Sequence, residues 1–261
     1  MSLRASKLLK MSPHELGWRI SCAVRRRRER RLWPDRVQPP GQKALAHTSW
    51  LCQDAVALLQ GVKRDQLPHL KQYWPPFDDA IRQRSRARAQ AALSGSWPLL
   101  GFPVDLAGTV DWHRDPRTGY RWPRTFYADV PLGGLPDGVD VKYVWELARH
   151  QYAVELARAW LFGHGQQYAS RARELILDWI DQNPLYEGVH WTSALEVAMR
   201  AISWIWTLAT LADWDGWQDA DLQRIAASLA DHATYLEHHL SLYSSPYNHL
   251  IGEATALYLI G

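Results

Sequence analysis

The sequence predicts an all-α fold of antiparallel helical hairpins, and three observations lead to this prediction. Apolar residues recur at helical spacing over most of the chain. After residue 140 the predicted helices, about 15–24 residues long, are joined by short turns, as is typical of antiparallel hairpins. The exception, residues 95–139, is rich in Pro, Gly and aromatic residues and is expected to form irregular loops with short strands at most. Consecutive pairing of this kind favours a ring or solenoid of hairpins, although no residue-level repeat is visible.

Residues 1–94 form the first of three predicted regions and are expected to be helical. The first helix begins near Pro13, and its Leu16, Ile20 and Val24 fall on one face. Further helical segments are predicted over Ala46–Leu59 and Asp78–Leu93.

The irregular segment 95–139 is the second region, and residues 140–261 form the third, which carries the strongest helical patterns. All three regions are expected to belong to one domain. Helices of the third region are predicted to begin near Val141, Gln166, Ser193, Asp219 and Pro246. The first is expected to run unbroken to Ala159, and Ser193 and Glu196 have the spacing of a capping box.

The composition indicates a globular protein, with 47% hydrophobic and 22% charged residues. There are 15 Trp against 4 Phe, and Trp serves both in helix packing and against sugar rings, so most are expected in the core and a few at a cleft. The two cysteines, Cys22 and Cys52, form no disulfide framework and are expected to be buried free thiols. No transmembrane segment is predicted. The N-terminus lacks the apolar run of a secretory signal, so the expected location is the cytoplasm, or the periplasm if a leader precedes this sequence.

The pair Asn248–His249 follows Pro246 at the start of the last predicted helix. The N-terminus of a helix is electropositive and presents free N–H groups, which suits it to hold a carboxylate. The pair therefore points to chemistry on an acidic substrate. The structural alternative is that Asn248 caps the helix. Glu253, one turn further on, is interpreted as a structural partner.

Four segments resemble, in the same order, the heparinase II/III-like family of polysaccharide lyases: Arg121–Tyr127, Val141–Gln151, Gly188–Arg200 and Ser245–Glu253. The likeness is to the amino-terminal helical domain of the family. It implies an incomplete (α/α) toroid, which in the family is normally followed by a β-sandwich, and no β-sandwich pattern is present in this sequence.

The resemblance also implies β-elimination on a uronic-acid-containing polysaccharide. Asn248 matches the family's carboxylate-binding Asn, and His249 matches a neighbouring His of alginate-cleaving relatives. The family's catalytic Tyr lies some tens of residues beyond the Asn, whereas this sequence ends at Gly261, and Tyr258 is too close to replace it. We therefore expect either a fragment of a lyase or a module that binds an acidic polysaccharide without cleaving it, and the sequence leaves open whether the chain is an enzyme.

Six further residues are predicted to contact substrate if their helices line a cleft. Each has a structural alternative: a helix-surface pair for Glu196 and Arg200, core packing for Trp191, and a solvated or ion-paired face for the others. The six are Arg200, Glu196, Trp191, Tyr143, Glu146 and His150.

No cofactor and no metal site is predicted, because no His, Asp, Glu or Cys cluster has ligand spacing. The run Arg25–Arg31 is interpreted as a solvated helix face, with binding to nucleic acid or an anionic membrane surface as a weaker alternative. The expected partner is an acidic polysaccharide, and the sequence does not indicate an oligomeric state.

Overall fold

The computed structural model describes residues 11–36 and 79–261 of the chain. Over these residues the fold is helical, which confirms the predicted all-α class and agrees with the predicted incomplete (α/α) toroid. The helices are α1 (Pro13–Arg36), α2 (Asp79–Leu93), α3 (Lys142–Leu147), α4 (Gln151–Leu161), α5 (Gln166–Gln182), α6 (Ala194–Thr210), α7 (Asp219–His239) and α8 (Asn248–Ile260). Two 3₁₀ turns cover Tyr127–Asp129 and Val189–Trp191. The predicted segment Ala46–Leu59 and Cys52 lie outside the described residues, and Cys22 is a half-buried free thiol on α1.

The prediction of one helix from Val141 to Ala159 is wrong, because the chain breaks between α3 and α4. His150 lies at the break with a φ of 57°, in the left-handed region that costs a non-glycine residue about 1–2 kcal/mol. This conformation directs its imidazole into the core, where the ring stacks on Trp112 at 5.0 Å and its Nδ1 accepts a hydrogen bond from Trp204 Nε1 at 3.1 Å. Tertiary packing therefore overrides the local helical pattern here.

The core between α4, α5, α6 and α7 contains a cluster of tryptophans. Trp179 on α5 is its centre, since its ring lies 5.4 Å from Trp204 and 6.1 Å from Trp191 in edge-on or tilted arrangements. Such pairs contribute about 0.5–1.5 kcal/mol each beyond the area they bury. The fully buried tryptophans are Trp112, Trp122, Trp179, Trp191 and Trp204.

The segment 95–139 is irregular, as predicted, with one short antiparallel hairpin of β1 (Trp97–Leu99) and β2 (Phe102–Val104). Side chains of α5 hold it in place. Arg171 donates to the carbonyl oxygens of Leu106, at 2.8 Å, and Gly108, at 2.6 Å. Asp178 accepts a hydrogen bond from Trp112 Nε1 at 2.8 Å. The bonds from Arg171 satisfy backbone carbonyls of the loop, and the bond to Asp178 satisfies the indole N–H of Trp112.

Helix α1 lies against the C-terminal end of α7, and its predicted apolar face of Leu16, Ile20 and Val24 is exposed. The opposite face makes the contacts. The ring of Trp18 lies 5.3 Å from that of Tyr243, in the connection between α7 and α8. No helix in the described ranges is long and apolar enough to span a bilayer.

Helix α8 packs mainly against α6. Gly252 allows this close approach, because a Cβ at this position would lie 3.0 Å from Leu195 Cδ1. Ala256, one turn later, is also fully buried. The N-terminus of α8 is thereby held at a defined place on the helical body.

Candidate functional site

Asn248 and His249 are the first two residues of α8, as predicted from the sequence. Asn248 is exposed and His249 is half-buried. Tyr247 occupies the N-cap position, where its carbonyl accepts the first helical hydrogen bond from Ile251 N at 3.0 Å. Asn248 is therefore not the N-cap residue. The first-turn N–H groups have no helical acceptor by geometry, so this end of α8 presents amide donors, a side-chain amide and an imidazole together.

Glu253 fixes the connection that leads into this helix end. Its carboxylate is fully buried and accepts hydrogen bonds from Ser241 N at 2.7 Å and Ser241 Oγ at 2.6 Å. Because Glu253 is four residues after His249, it lies one helical turn along the same face of α8. The bond pair thus ties the end of α7 to the middle of α8, and Glu253 has the structural role interpreted from the sequence.

Aromatic side chains flank the pair. Tyr247, directly before Asn248, is 78% exposed, and Tyr243 is partly exposed against Trp18. Flat, exposed rings of this kind are suited to the apolar faces of sugar rings. The site around Asn248 and His249 therefore combines donors for a carboxylate with surfaces for the ring that carries it.

Glu196 does not form the predicted capping box or a pair with Arg200. Its buried carboxylate instead accepts two hydrogen bonds from Arg149, at 2.7 Å from Nε and 2.9 Å from Nη2. Ser193 is the N-cap residue of α6 but makes no side-chain capping bond. The reason is geometric, since the planar fork of a guanidinium matches a carboxylate better than a single backbone N–H does.

Glu146 and Tyr143 are half-buried residues of α3 and lie near this ion pair. Arg149 also pairs with Glu146. Burial raises the pKa of Glu146, although the charge of Arg149 opposes the rise. The guanidinium of Arg117 lies 4.8 Å from the ring centre of Tyr143. These contacts correspond to the ion-paired alternative given for α3, and a substrate contact through either residue remains a prediction.

Arg200 is fully buried in the tryptophan core. Its Nε donates to His232 Nε2 at 2.8 Å, and its guanidinium lies 3.9 Å from the ring centre of Trp179. His232 Nδ1 lies 2.6 Å from the carbonyl oxygen of Ser228, so the hydrogen is on Nδ1 and Nε2 is free to accept. Burial lowers the pKa of Arg200 to about 9.

Trp191 and His150 are buried in the same core. Burial lowers the pKa of His150 well below its usual value, and the charge of Arg200 adds to this effect. In this structure Arg200, Trp191 and His150 present no side-chain surface to a polymer. Their observed contacts are those of core packing, and a role in binding substrate remains a prediction.

The sequence reasoning did not single out the cluster of Glu29, Tyr127 and His239. The buried Glu29 carboxylate accepts from Tyr127 Oη at 2.7 Å and lies 2.8 Å from His239 Nε2. Burial alone would raise the pKa of Glu29, but the hydrogen bonds from His239 and Tyr127 and the charge of His239 together outweigh burial, and the pKa is lowered. One signal was available, because Trp18, Cys22, Arg25 and Glu29 recur at three- and four-residue spacing on α1.

The burial of Arg200 was also partly predictable from the sequence. Val197, Ala201 and Trp204 share its helix face, which is the pattern of a buried stripe. Arg149, in contrast, gave no local signal that it would bind Glu196, which lies 47 residues away in sequence.

Comparison with known proteins gives one family and one solved structure. The family model described as heparinase II/III N-terminus matches residues 64–261. A solved structure of heparinase III, the BT4657 gene product with methylated lysines, aligns with a TM-score of 0.44 and 18% sequence identity. The alignment covers 85% of this chain and 34% of that one, so this chain spans about a third of its length. Among curated proteins there is no significant match.

Proposed function

The chain belongs to the heparinase II/III N-terminus family, and we propose that it binds an acidic polysaccharide by a uronate carboxylate at Asn248 and His249. The reaction proposed for the bound polysaccharide is β-elimination. The observation that carries the proposal is the exposure of this pair at the N-terminus of α8, next to the exposed ring of Tyr247. The other predicted contacts on α6 are buried, so the pair is the best-supported place for a polymer to bind.

The residue types suit the chemistry of elimination. A base removes the proton at C5 of the uronate, the electron pair forms the C4–C5 double bond, and the C4–O bond breaks as an acid protonates the leaving oxygen. Negative charge spreads into the carboxylate as the proton leaves. The Asn248 amide, the free N–H groups of the first turn of α8 and the protonated form of His249 would all stabilise that charge, and one such donor is typically worth about 10²–10³ in rate.

A second function, binding without cleavage, is favoured by the state of the described tyrosines. Burial raises the pKa values of Tyr127, Tyr152 and Tyr235, which makes these phenols poorer sources of a phenolate base. Tyr258 is 84% exposed, but ten residues of α8 separate it from Asn248, a rise of about 15 Å. None of these four tyrosines is therefore placed to act as a base beside Asn248, and this favours a carboxylate clamp that binds without cleaving.

Two measurements test the proposal and separate the two functions. Calorimetry with alginate and heparan sulfate oligosaccharides reports binding, and ultraviolet absorbance of the conjugated product reports cleavage. We expect Asn248→Ala and His249→Ala to weaken binding, and to slow cleavage if cleavage occurs.

The chain offers matched controls for both variants. Gln151→Ala removes an exposed amide from the first residue of α4, and His164→Ala removes a half-buried imidazole from the turn between α4 and α5. Binding without absorbance would establish the second function. Equal affinity of Asn248→Ala and the wild type would refute the clamp.

A further inference from the structure

The arginine run on α1 has an outward face of a single charge sign. Arg26, Arg27, Arg28 and Arg31 are exposed, and no acidic side chain of the described residues pairs with them. The acidic side chains described on α1 are occupied elsewhere: Glu15 binds Arg19 at 2.7 Å, and Glu29 is buried. The outward face therefore carries several positive charges with no described counter-charge.

This arrangement has a cost that an anionic partner would remove. Arg27 and Arg31 are four residues apart on α1, and like charges at this spacing destabilise a helix. Arg28 adds a third charge three residues before Arg31. A polyanion with regularly spaced carboxylates would neutralise several of these charges at once.

Contacts along α1 link it to the end of α7 and to the segment that leads into α8. Trp18 meets Tyr243, five residues before Asn248, and Arg25 donates to the carbonyl oxygen of His238 at the end of α7. Glu29, one turn later, binds His239. The inner face of α1 is thus held against the end of α7 and the segment that leads into α8. The outward arginines lie on the opposite, exposed side of the same helix.

We propose that the outward face of α1 is a secondary binding surface for the acidic polysaccharide. The polysaccharide lies along this surface when one of its uronates is held by Asn248 and His249. The inference rests on the proposed function, and it goes beyond the family relationship, since α1 lies outside the matched residues 64–261. From Trp18 to Arg28 the helix rises by about 15 Å, so the surface engages a long polymer and not the single sugar held by Asn248.

An anionic lipid surface is the competing partner. Leu16, Ile20 and Val24 are exposed on the N-terminal half of α1, and helices with exposed apolar and basic residues bind such surfaces. The polysaccharide is favoured because Trp18 meets Tyr243 in the segment that leads into α8, a contact that a role on lipid does not require. The experiment includes vesicles for this reason.

The test compares two triple variants that remove the same charge from exposed helix positions. Arg26→Gln/Arg27→Gln/Arg28→Gln changes α1, and Arg82→Gln/Arg84→Gln/Arg86→Gln changes α2 as the control. Binding is measured at low and high salt to a long polyuronate, to a disaccharide of the same uronate, to phosphatidylserine vesicles and to single-stranded DNA. Thermal unfolding of both variants confirms that they are folded.

We expect the α1 variant to bind the long polymer on the order of tenfold more weakly at low salt, with a smaller salt dependence. The disaccharide affinity should be unchanged, and the α2 variant should match the wild type. An equal loss of polymer affinity in both triple variants would overturn the proposal, because the loss would then reflect the overall charge of the protein and not the α1 surface. Loss of vesicle or DNA binding with unchanged polymer binding would overturn it in favour of those partners.

Asn248→Ala separates this inference from the function on which it rests. If both hold, Asn248→Ala weakens binding of the disaccharide and the polymer alike. If Asn248→Ala has no effect while the α1 variant loses the polymer, the clamp is refuted and the basic face stands as a polysaccharide surface.

Discussion

The buried histidines predict that the fold is destabilised in mild acid. His113, His150, His190 and His232 are all buried, and burial is the main cause that lowers the pKa of each. A group whose pKa is lower in the folded state is protonated first in the unfolded chain. Below pH 6.5 the unfolded chain therefore takes up protons that the folded protein refuses, and the free energy of unfolding falls with the pH.

The magnitude follows from His113, whose pKa falls from 6.5 to about 4. At about 1.4 kcal/mol per pH unit, this histidine alone removes about 3 kcal/mol between the two values. At pH 5.5 His113 costs about 1 kcal/mol, and the lowered pKa values of His150, His190 and His232 act in the same direction. Since a typical domain has about 5–15 kcal/mol of stability, we expect a measurable loss of stability as the pH falls to this value.

Urea unfolding followed by tryptophan fluorescence, from pH 8 to pH 5, measures this dependence. His113→Gln should reduce the slope of unfolding free energy against pH by about 1.4 kcal/mol per pH unit below pH 6.5, whatever its effect at pH 8. His14→Gln is the control, because it makes the same substitution at an exposed position of α1, and its slope should equal that of the wild type. A wild-type slope near zero, or no difference between His113→Gln and the wild type, would refute the reasoning.

Two further predictions concern buried carboxylates, and both are measured by urea unfolding at pH 8. Glu253→Ala should cost about 2–4 kcal/mol and weaken polysaccharide binding, because Ser241 loses both hydrogen bonds. Glu237→Ala, at an exposed position of α7, should change neither the stability nor the binding of polysaccharide. An equal effect of Glu237→Ala and Glu253→Ala would contradict a specific role for Glu253. Glu196→Gln should cost about 1–3 kcal/mol, because Arg149 keeps only Glu146 as a charged partner. The ion pair of the exposed Glu174 with the half-buried Arg171 is the comparison. Glu174→Gln should cost less than about 1 kcal/mol, and similar losses at both sites would show that burial of the carboxylate is unimportant.

The helix starts were predictable from sequence because they depend on neighbouring residues. The predicted beginnings at Gln166 and Asp219 match the structure, and Ser193 directly precedes α6. The start of α8 at Asn248 lies two residues after the predicted Pro246. Periodicity and helix-terminal residues act within one or two turns, so they are readable without the fold.

The predictions that failed depended on contacts between distant segments. The helix break at His150 requires Trp112 and Trp204, and the carboxylate of Glu196 is taken by Arg149. None of these three partners could be identified from local pattern, because a side chain's best partner is chosen by the folded arrangement and not by spacing in the chain.

The amino-acid sequence by itself determined the helical class, the family relationship and the presence of Asn248 and His249 at the start of a helix. The tertiary structure decided which polar residues can meet a substrate: it exposes Asn248 and buries Arg200 and His150. The physical reason is that helical periodicity is set by adjacent residues, whereas the removal of a side chain from water is set by all the segments that pack around it.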